Sequence, residues 1–239
     1  MLTISRLGVA GHPWKRTAAT AAWRTDLQDR VGHFEHRAAA RIDRVRAAAR
    51  SGTPLGFWDV IFPGADQPRL SLIEQIVRSP HASFAHYTGF IVAELDGAPV
   101  GAMSGYDPTK KKLGHFARVL NAVLEKNGWN EAHRNLLGMR LVPAASCLSD
   151  TPADCWIVEW VALRPEARGK GVAAALLERI LQRGRDAGFA KAQISYLIGN
   201  TPAQRCYEGA GFETVDEKRD PAFEAIFGRP GTARMLRAL

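Results

Sequence analysis

The chain has 239 residues, of which 46% are hydrophobic and 23% are charged, values typical of a globular protein with an ordinary core. No apolar stretch approaches the roughly 20 residues that span a bilayer, which disfavours a membrane protein. The formal net charge is +8, but the first fifty residues hold ten basic and four acidic residues and carry most of it. The rest of the chain is nearly neutral, which disfavours nucleic acid as a partner.

The first part of the chain predicts a tail followed by helices. Residues 1–30 show no sustained hydrophobic period and are predicted to form a flexible tail, whereas residues 31–239 are predicted to form one domain. A short strand and a helix are predicted within residues 31–52, and the spacing of apolar residues at 70–77 predicts a second helix. The aromatic-rich stretch 55–68 belongs either to the core or to the wall of a pocket.

A hairpin and a long excursion follow. Residues 89–95 and 99–106 predict two strands joined at Asp96-Gly97, a dipeptide typical of tight hairpin turns. Residues 107–154 show no strand pattern, but five apolar residues in them share one helical face. These residues are Phe116, Val119, Leu120, Val123 and Leu124. Long excursions between strands are usually functional, so this segment is interpreted as an insert that shapes a binding site.

The last third alternates strands with short helices. Strands are predicted at residues 155–163, 192–197, 212–216 and 233–239, and helices at 171–184 and 202–209. Residues between the last two strands, which contain Pro221 and Pro230-Gly231, are predicted to be a loop. A hairpin followed by strand–helix–strand requires both antiparallel and parallel pairs. The predicted fold class is therefore α/β or α+β, with a mixed sheet flanked by helices.

The glycine turn, residues 168–173, is the most informative segment. It reads Arg168, Gly169, Lys170, Gly171, Val172, Ala173 and joins an apolar strand to a helix. Backbone N–H groups at the start of a helix attract anions, because they lie at the positive end of the helix dipole. Glycines let the backbone approach a phosphate closely, and Arg168 adds a charge-assisted contact. The turn predicts a site for a phosphate-bearing ligand; a plain strand-to-helix connection is the alternative.

Glu159 interrupts the apolar strand that precedes the glycine turn. Strict alternation places its side chain on the same face as Ile157, Val161 and Leu163. A carboxylate there is costly unless it has a partner or faces a water-lined site. Burial would raise its pKa toward neutrality, which suits a general base. A salt-bridged structural glutamate is the alternative interpretation.

Two segments carry a resemblance to a known family. Residues 168–173 resemble the Q/R-x-x-G-x-G/A turn of the GCN5-related N-acetyltransferases (GNAT), and residues 200–212 resemble the family segment N-x-x-A-x-x-x-Y-x-x-x-G-F. A weaker similarity, to R-x-A-x-x-x-D, lies at residues 36–43. The resemblance implies a splayed, mostly antiparallel mixed sheet, with acetyl-coenzyme A as co-substrate and no metal.

The resemblance also implies roles for single residues. The pyrophosphate of the cofactor would be held by Arg168, Gly169, Lys170, Gly171, Val172 and Ala173, and the pantetheine arm by the strand backbone at Val161 and Leu163. Glu159 would accept the proton of the substrate ammonium. Tyr207 would return a proton to the leaving thiolate, unless it is a packing tyrosine. Asn200 would contact the cofactor or cap the following helix, a role for which Thr201 competes.

The three cysteines, Cys147, Cys155 and Cys206, show no C-x-x-C spacing. They predict neither a disulfide framework nor a metal site, and they fit a reducing cytoplasm. Cys206 is interpreted as a buried structural thiol, because no paired His and Asp arrangement supports a nucleophile.

The predicted function is an acetyl-coenzyme-A-dependent N-acetyltransferase that acts on a primary amine of a small molecule or peptide by direct attack. The alternative is a coenzyme-A-binding regulatory or sensor domain without turnover. A nucleic-acid binder acting through the basic N-terminal segment is a third, disfavoured hypothesis. The sequence identifies neither the acceptor nor the oligomeric state, and a homodimer is one of the states open to it.

Overall fold

The computed structural model describes residues 2–6, 56–96 and 98–239. The strand and helix predicted within residues 31–52, the family-like segment 36–43 and most of the predicted tail lie outside these residues. Within the predicted tail, Leu2–Arg6 form a strand that pairs with the first hairpin strand.

The described residues form a seven-stranded mixed sheet. Its strands are β1 (Leu2–Arg6), β2 (Phe90–Leu95), β3 (Ala98–Tyr106), β4 (Cys155–Leu163), β5 (Lys191–Leu197), β6 (Glu213–Arg219) and β7 (Gly231–Ala238), in the order β1-β2-β3-β4-β5-β7-β6. Every neighbouring pair is antiparallel except β4 and β5, which are parallel. The predicted mixed and mostly antiparallel sheet is therefore confirmed.

Helices cover both faces of the sheet. They are α1 (Phe57–Ile61), α2 (Asp66–Val77), α3 (Leu113–Lys126), α4 (Glu131–Ser146), α5 (Val172–Asp186), α6 (Thr201–Gly209) and α7 (Pro221–Phe227), with short 3-10 turns at Tyr87–Gly89 and Pro165–Ala167. Among the described residues, no helix is both long and apolar enough to cross a bilayer.

Residues 107–154 contain no strand, as predicted, and they form two helices. The five apolar residues expected on one face of α3 are all buried. The second helix, α4, was not predicted, because its apolar residues do not form one stripe: Met139 and Val142 are exposed while Leu137 and Ala144 are buried. The prediction of a loop before the last strand is wrong for the residues of α7. This helix is capped by Asp220, whose side chain accepts hydrogen bonds from the Ala222 and Phe223 N–H groups.

The start of α5 is held close to the ends of β3 and β4. A Cβ atom added at Gly101 of β3 would lie 2.5 Å from Leu163 Cδ2, 3.1 Å from Leu176 Cδ1 and 3.3 Å from Val172 Cγ1. The absence of a side chain at Gly101 therefore lets the first turn of α5 and the end of β4 pack directly on the sheet. This packing positions the glycine turn beside the last residues of β4.

A bulge in β4 changes which face its residues occupy. Ser104 of β3 pairs with Glu159, but Ala102 pairs with Ala162, so β4 carries one extra residue here. Trp160 adopts φ 53°, which is uncommon for a non-glycine residue.

The bulge makes the expected strict alternation wrong. Trp160 and Ala162 pack on the face covered by α2 and α3, whereas Val161 and Leu163 pack on the α5 face. One inserted residue reverses the phase of a period-two pattern, so Glu159 does not share a face with Val161 and Leu163.

Candidate active site

The Glu159 carboxylate is held by a tyrosine from the neighbouring strand. The Tyr106 hydroxyl donates to Glu159 Oε1 at 3.1 Å, and the Ser104 hydroxyl donates to the Glu159 backbone carbonyl at 3.1 Å. No ion pair to Glu159 occurs among the described residues, so the salt-bridged alternative finds no support. The hydrogen bond from Tyr106 orients the carboxylate without supplying a counter-charge.

Burial raises the pKa of Glu159 from 4.5 to about 7, and the hydrogen bond from Tyr106 lowers it by less. Burial, and then the nearby carboxylate, raises the pKa of Tyr106 above its usual value of 10. The phenol therefore keeps its proton and remains a donor to Glu159 at neutral pH. A carboxyl group with a pKa near 7 exchanges protons readily at physiological pH.

Five aromatic side chains, here called the aromatic wall, form one cluster that reaches Glu159 through Trp160 and Tyr106: Phe57, Trp58, Phe84, Phe116 and Trp160. The Phe84 ring stacks on Tyr106, the partner of Glu159, with centroids 6.0 Å apart, and on Trp160 at 6.2 Å. Trp58 stacks on Trp160 at 5.2 Å and Phe57 meets Trp160 edge-on at 5.5 Å. Phe116 lies behind Phe84 at 4.6 Å.

The wall combines segments that sequence analysis treated separately. Phe57 and Trp58 come from the aromatic-rich stretch, Phe116 comes from the insert and Trp160 from the bulge of β4. Phe116 is buried, whereas the other four rings are partly exposed. The aromatic stretch is therefore both core, through Phe62, and accessible wall.

Beyond Glu159 the sheet opens. The ladder between β4 and β5 covers only Cys155–Val158 on β4 and ends at Ile194 on β5. The rest of β4, from Glu159 to Leu163, pairs with β3, and in the described part of the chain it has no ladder partner on its β5 side. Backbone N–H and C=O groups along that edge, including those of Val161 and Leu163, are therefore able to bind a ligand. This is the splay that the family resemblance implied.

The glycine turn is exposed and has room for an anion. Gly169 and Gly171 adopt φ 71° and 74°, and Gly171 is the N-cap of α5. A Cβ atom added at either glycine would meet no atom of the described residues within 4 Å. Arg168 and Lys170 are exposed beside them, while Val172 is buried in the sheet core. The turn thus presents the first N–H groups of α5 and two cations to open space.

Arg164 was missed by the sequence analysis. Its Nε and Nη2 atoms are buried and have no hydrogen-bond partner among the described residues, and its Nη1 atom lies 3.9 Å from Glu166 Oε1. Buried donors on a charged group are costly when they have no acceptor. The residue therefore fits a bound anion. In the sequence, Arg164 could have been identified as a basic residue at the end of the apolar strand, four positions before Arg168.

The remaining predicted residues lie on α6, which packs against β5. The Asn200 side chain accepts from the Ala203 N–H at 3.3 Å, so Asn200 rather than Thr201 caps the helix. Tyr207 is buried between Tyr196 and Phe212, with ring centroids 6.4 and 6.5 Å away. Burial, with a smaller effect of Cys206, raises the pKa of Tyr207 above 10.

Cys206 itself is partly buried, and burial raises the pKa of its thiol. This direction opposes thiolate formation, as expected for a structural thiol.

Comparison with known proteins assigns the family. The model of the acetyltransferase (GNAT) family matches residues 58–212, more than half of the chain. The chain belongs to the GNAT family. The matched range includes the bulge of β4, the glycine turn and α6. The family resemblance and the predicted enzyme class, N-acetyltransferase, are thereby confirmed.

Solved structures show the GNAT fold beyond the matched range. The crystal structure of an acetyltransferase aligns over 85% of this chain and 94% of the acetyltransferase chain, at 18% identity and a TM-score of 0.56. An N-acetyltransferase from Staphylococcus aureus aligns over 84% and 94% at 15% identity and a TM-score of 0.50.

The polyamine N-acetyltransferase of Drosophila melanogaster aligns over 100% of both chains at 12% identity and a TM-score of 0.50. At these identities the likeness concerns the fold of a GNAT protein and not its acceptor. A search of curated proteins found no match.

Proposed function

We propose that this GNAT protein transfers the acetyl group of acetyl-coenzyme A to a primary amine, with Glu159 as the general base. The observation that carries this proposal is the Glu159 carboxylate, held by Tyr106, with a pKa near 7. It lies at the point where β4 diverges from β5. A base in this position would take the proton that the ammonium must lose before its nitrogen attacks.

The donor would be held by the glycine turn, by Arg164, whose buried donors fit a phosphate, and by the free edge of β4. The N–H groups of the glycine turn and the side chains of Arg168 and Lys170 would bind its pyrophosphate. Asn200 caps α6, and we propose only that it lies next to the bound donor. The free edge of β4, with Val161 and Leu163, would bind the pantetheine arm. The donor supplies an activated thioester, so the protein need not form a covalent intermediate.

Proton movement balances the reaction. Glu159 takes one proton from the ammonium, after which the amine nitrogen forms a bond to the acetyl carbon and the carbon–sulfur bond breaks. The nitrogen loses its second proton as the amide forms, and that proton replaces the one given to the thiolate, while Glu159 releases its own proton to solvent. We assign the proton that the thiolate requires to Tyr207, whose raised pKa keeps the phenol protonated at neutral pH. The same shift makes Tyr207 a weaker acid, so its contribution is expected to be smaller than that of Glu159.

The free cysteines support a cytoplasmic location.

The test is a coenzyme-A-release assay over a panel of primary amines. Release that depends on an amine, with the acetylated amine identified by mass spectrometry, supports the proposal. Binding of acetyl-coenzyme A without transfer to any amine would instead favour a coenzyme-A sensor.

Replacing Tyr106 with phenylalanine is expected to shift the pH profile of acetyl transfer to higher pH. The hydroxyl lowers the pKa of Glu159 by hydrogen bonding, so its loss raises that pKa further above 7. The base is active when deprotonated, so the rising limb of kcat/KM moves upward in pH. The kcat/KM of the variant measured from pH 6 to 9 checks this. An unchanged limb would exclude Tyr106 as the residue that orients and tunes Glu159.

Replacing Arg164 with glutamine is expected to raise the Kd for acetyl-coenzyme A about tenfold or more, because a charge-assisted contact is lost. Calorimetry with acetyl-coenzyme A and with S-acetylpantetheine, which lacks phosphates, separates the contributions: only the first ligand should bind more weakly. Without ligand the variant should unfold at a similar temperature, because the guanidinium Nε and Nη2 atoms have no partner among the described residues and the ion pair of Nη1 with Glu166 is long, at 3.9 Å. Arg179→Gln, exposed on α5, is the control. Equal weakening of both ligands would contradict a phosphate contact.

A further inference from the structure

The aromatic wall has an accessible surface next to the proposed base. Trp160 follows Glu159 directly in the chain, and Phe84 links Trp160 to Tyr106 by stacking. Trp58 and Trp160 stack with centroids 5.2 Å apart, a separation that leaves no room for another ring between them. A ligand ring can therefore only lie over the partly exposed parts of these side chains.

The charges near the wall suit a ligand with a single cation. Asp59, on the same helix as Phe57 and Trp58, forms an ion pair with Arg69 at 2.7 Å. Asp107, which follows Tyr106, forms an ion pair with Lys110 at 3.0 Å. Of these three acids in the described part of the chain, only Glu159 lacks a cationic side chain as partner. A polyamine would bring two or more cations to a surface that offers one such carboxylate.

The geometry points to an acceptor that carries its primary amine on an aromatic ring through a short alkyl linker. This inference rests on the proposed function. Trp160 follows Glu159 in the chain, and Phe84 contacts both Trp160 and Tyr106, the residue that holds the Glu159 carboxylate. A ligand ring on Trp160 would therefore need only a short linker to bring an amine to Glu159. Aromatic pairs contribute beyond their buried area, and an ammonium beside these rings gains a cation–π contribution. An arylalkylamine satisfies the ring surface and the carboxylate together.

The first experiment compares three amines in the acetyl-transfer assay with the full chain. 2-Phenylethylamine carries an aromatic ring, n-hexylamine has an apolar body without a ring, and spermidine is a polycation. We expect kcat/KM for 2-phenylethylamine to exceed that for n-hexylamine about tenfold and that for spermidine by more, as stacking energies imply. Acetylation of n-hexylamine or spermidine as efficiently as 2-phenylethylamine overturns the inference while leaving the proposed function intact.

The second experiment removes one ring from the wall. Trp58→Ala is expected to raise KM for 2-phenylethylamine about tenfold with little change in kcat, and Trp58→Phe to restore most of the loss, because a ring remains. KM for n-hexylamine should change much less. Trp129→Ala is the matched control, since Trp129 meets Phe62 at 5.9 Å and His133 at 5.7 Å, outside the wall. Equal KM changes for both amines would overturn the stacking role.

Two further readouts cover failure of folding or of turnover. If melting temperatures show that Trp58→Ala does not fold, Trp58→Leu keeps the bulk and removes the ring. If no amine is acetylated, the proposed function fails, and binding of 2-phenylethylamine followed by tryptophan fluorescence tests the wall alone. Saturable binding tighter than that of n-hexylamine then supports the aromatic site, and no difference overturns it.

Discussion

Replacing Glu159 with glutamine is expected to lower kcat/KM for acetyl transfer about 100-fold or more at pH 8. General bases contribute rate factors of about this size, and glutamine cannot accept the proton of the ammonium. The amide still fits the site and still accepts a hydrogen bond from Tyr106. The loss should therefore appear in the chemical step, and the Kd for acetyl-coenzyme A should stay within about twofold of the wild-type value.

The dependence of kcat/KM on pH tests whether Glu159 is the base. The pKa of Glu159 is raised to about 7, so the carboxylate is mostly protonated below pH 7 and mostly deprotonated above it. Wild-type kcat/KM should rise through about pH 7, and the variant should lose this limb. Glu178→Gln, exposed on α5, is the control. A variant that keeps wild-type rates and the same limb would show that another group is the base.

Replacing Gly171 with valine is expected to raise the Kd for acetyl-coenzyme A at least about tenfold. Gly171 adopts φ 74°, a conformation that is strained for any β-branched residue. Relief of that strain would turn the first N–H groups of α5 away from the pyrophosphate. The space around the Cβ position is open, so the added side chain would also occupy volume proposed for the ligand. Calorimetry with acetyl-coenzyme A measures the change.

Gly128 offers a matched control for Gly171. It adopts φ 73° just after α3, and a Cβ atom there also meets nothing within 4 Å among residues 2–6, 56–96 and 98–239. Gly128→Val should therefore lower the melting temperature by a similar amount, because the backbone strain is the same, while leaving donor binding unchanged. If both variants weakened binding equally, loss of global stability would explain the result and the glycine turn would not be the phosphate site.

The local elements of this protein follow from short-range sequence patterns. Asp96-Gly97 marks the hairpin, the apolar period of α3 marks its buried face, and the glycine turn follows directly from Gly169 and Gly171. Each of these features depends on residues within a few positions of one another, where steric and hydrogen-bonding preferences act directly. The family segment at residues 200–212 is local in the same sense.

Contacts between distant segments required the tertiary structure. Tyr106 and Glu159 are 53 positions apart, so the tyrosine that holds the carboxylate carries no local signal. The aromatic wall brings together α1, the segment before β2, α3 and β4. The unmet donors of Arg164 became visible only once its surroundings were known.

The sequence by itself determined the order of the functional features along the chain: a carboxylate within β4, then a glycine turn, then a helix N-terminus that can bind an anion. Only the tertiary structure decided which way Glu159 and its neighbours face. The pairing of β4 with β3 introduces an extra residue at the bulge, and Trp160 there adopts φ 53°. A period-two pattern assumes an unbroken ladder, and whether the ladder is unbroken depends on the partner strand.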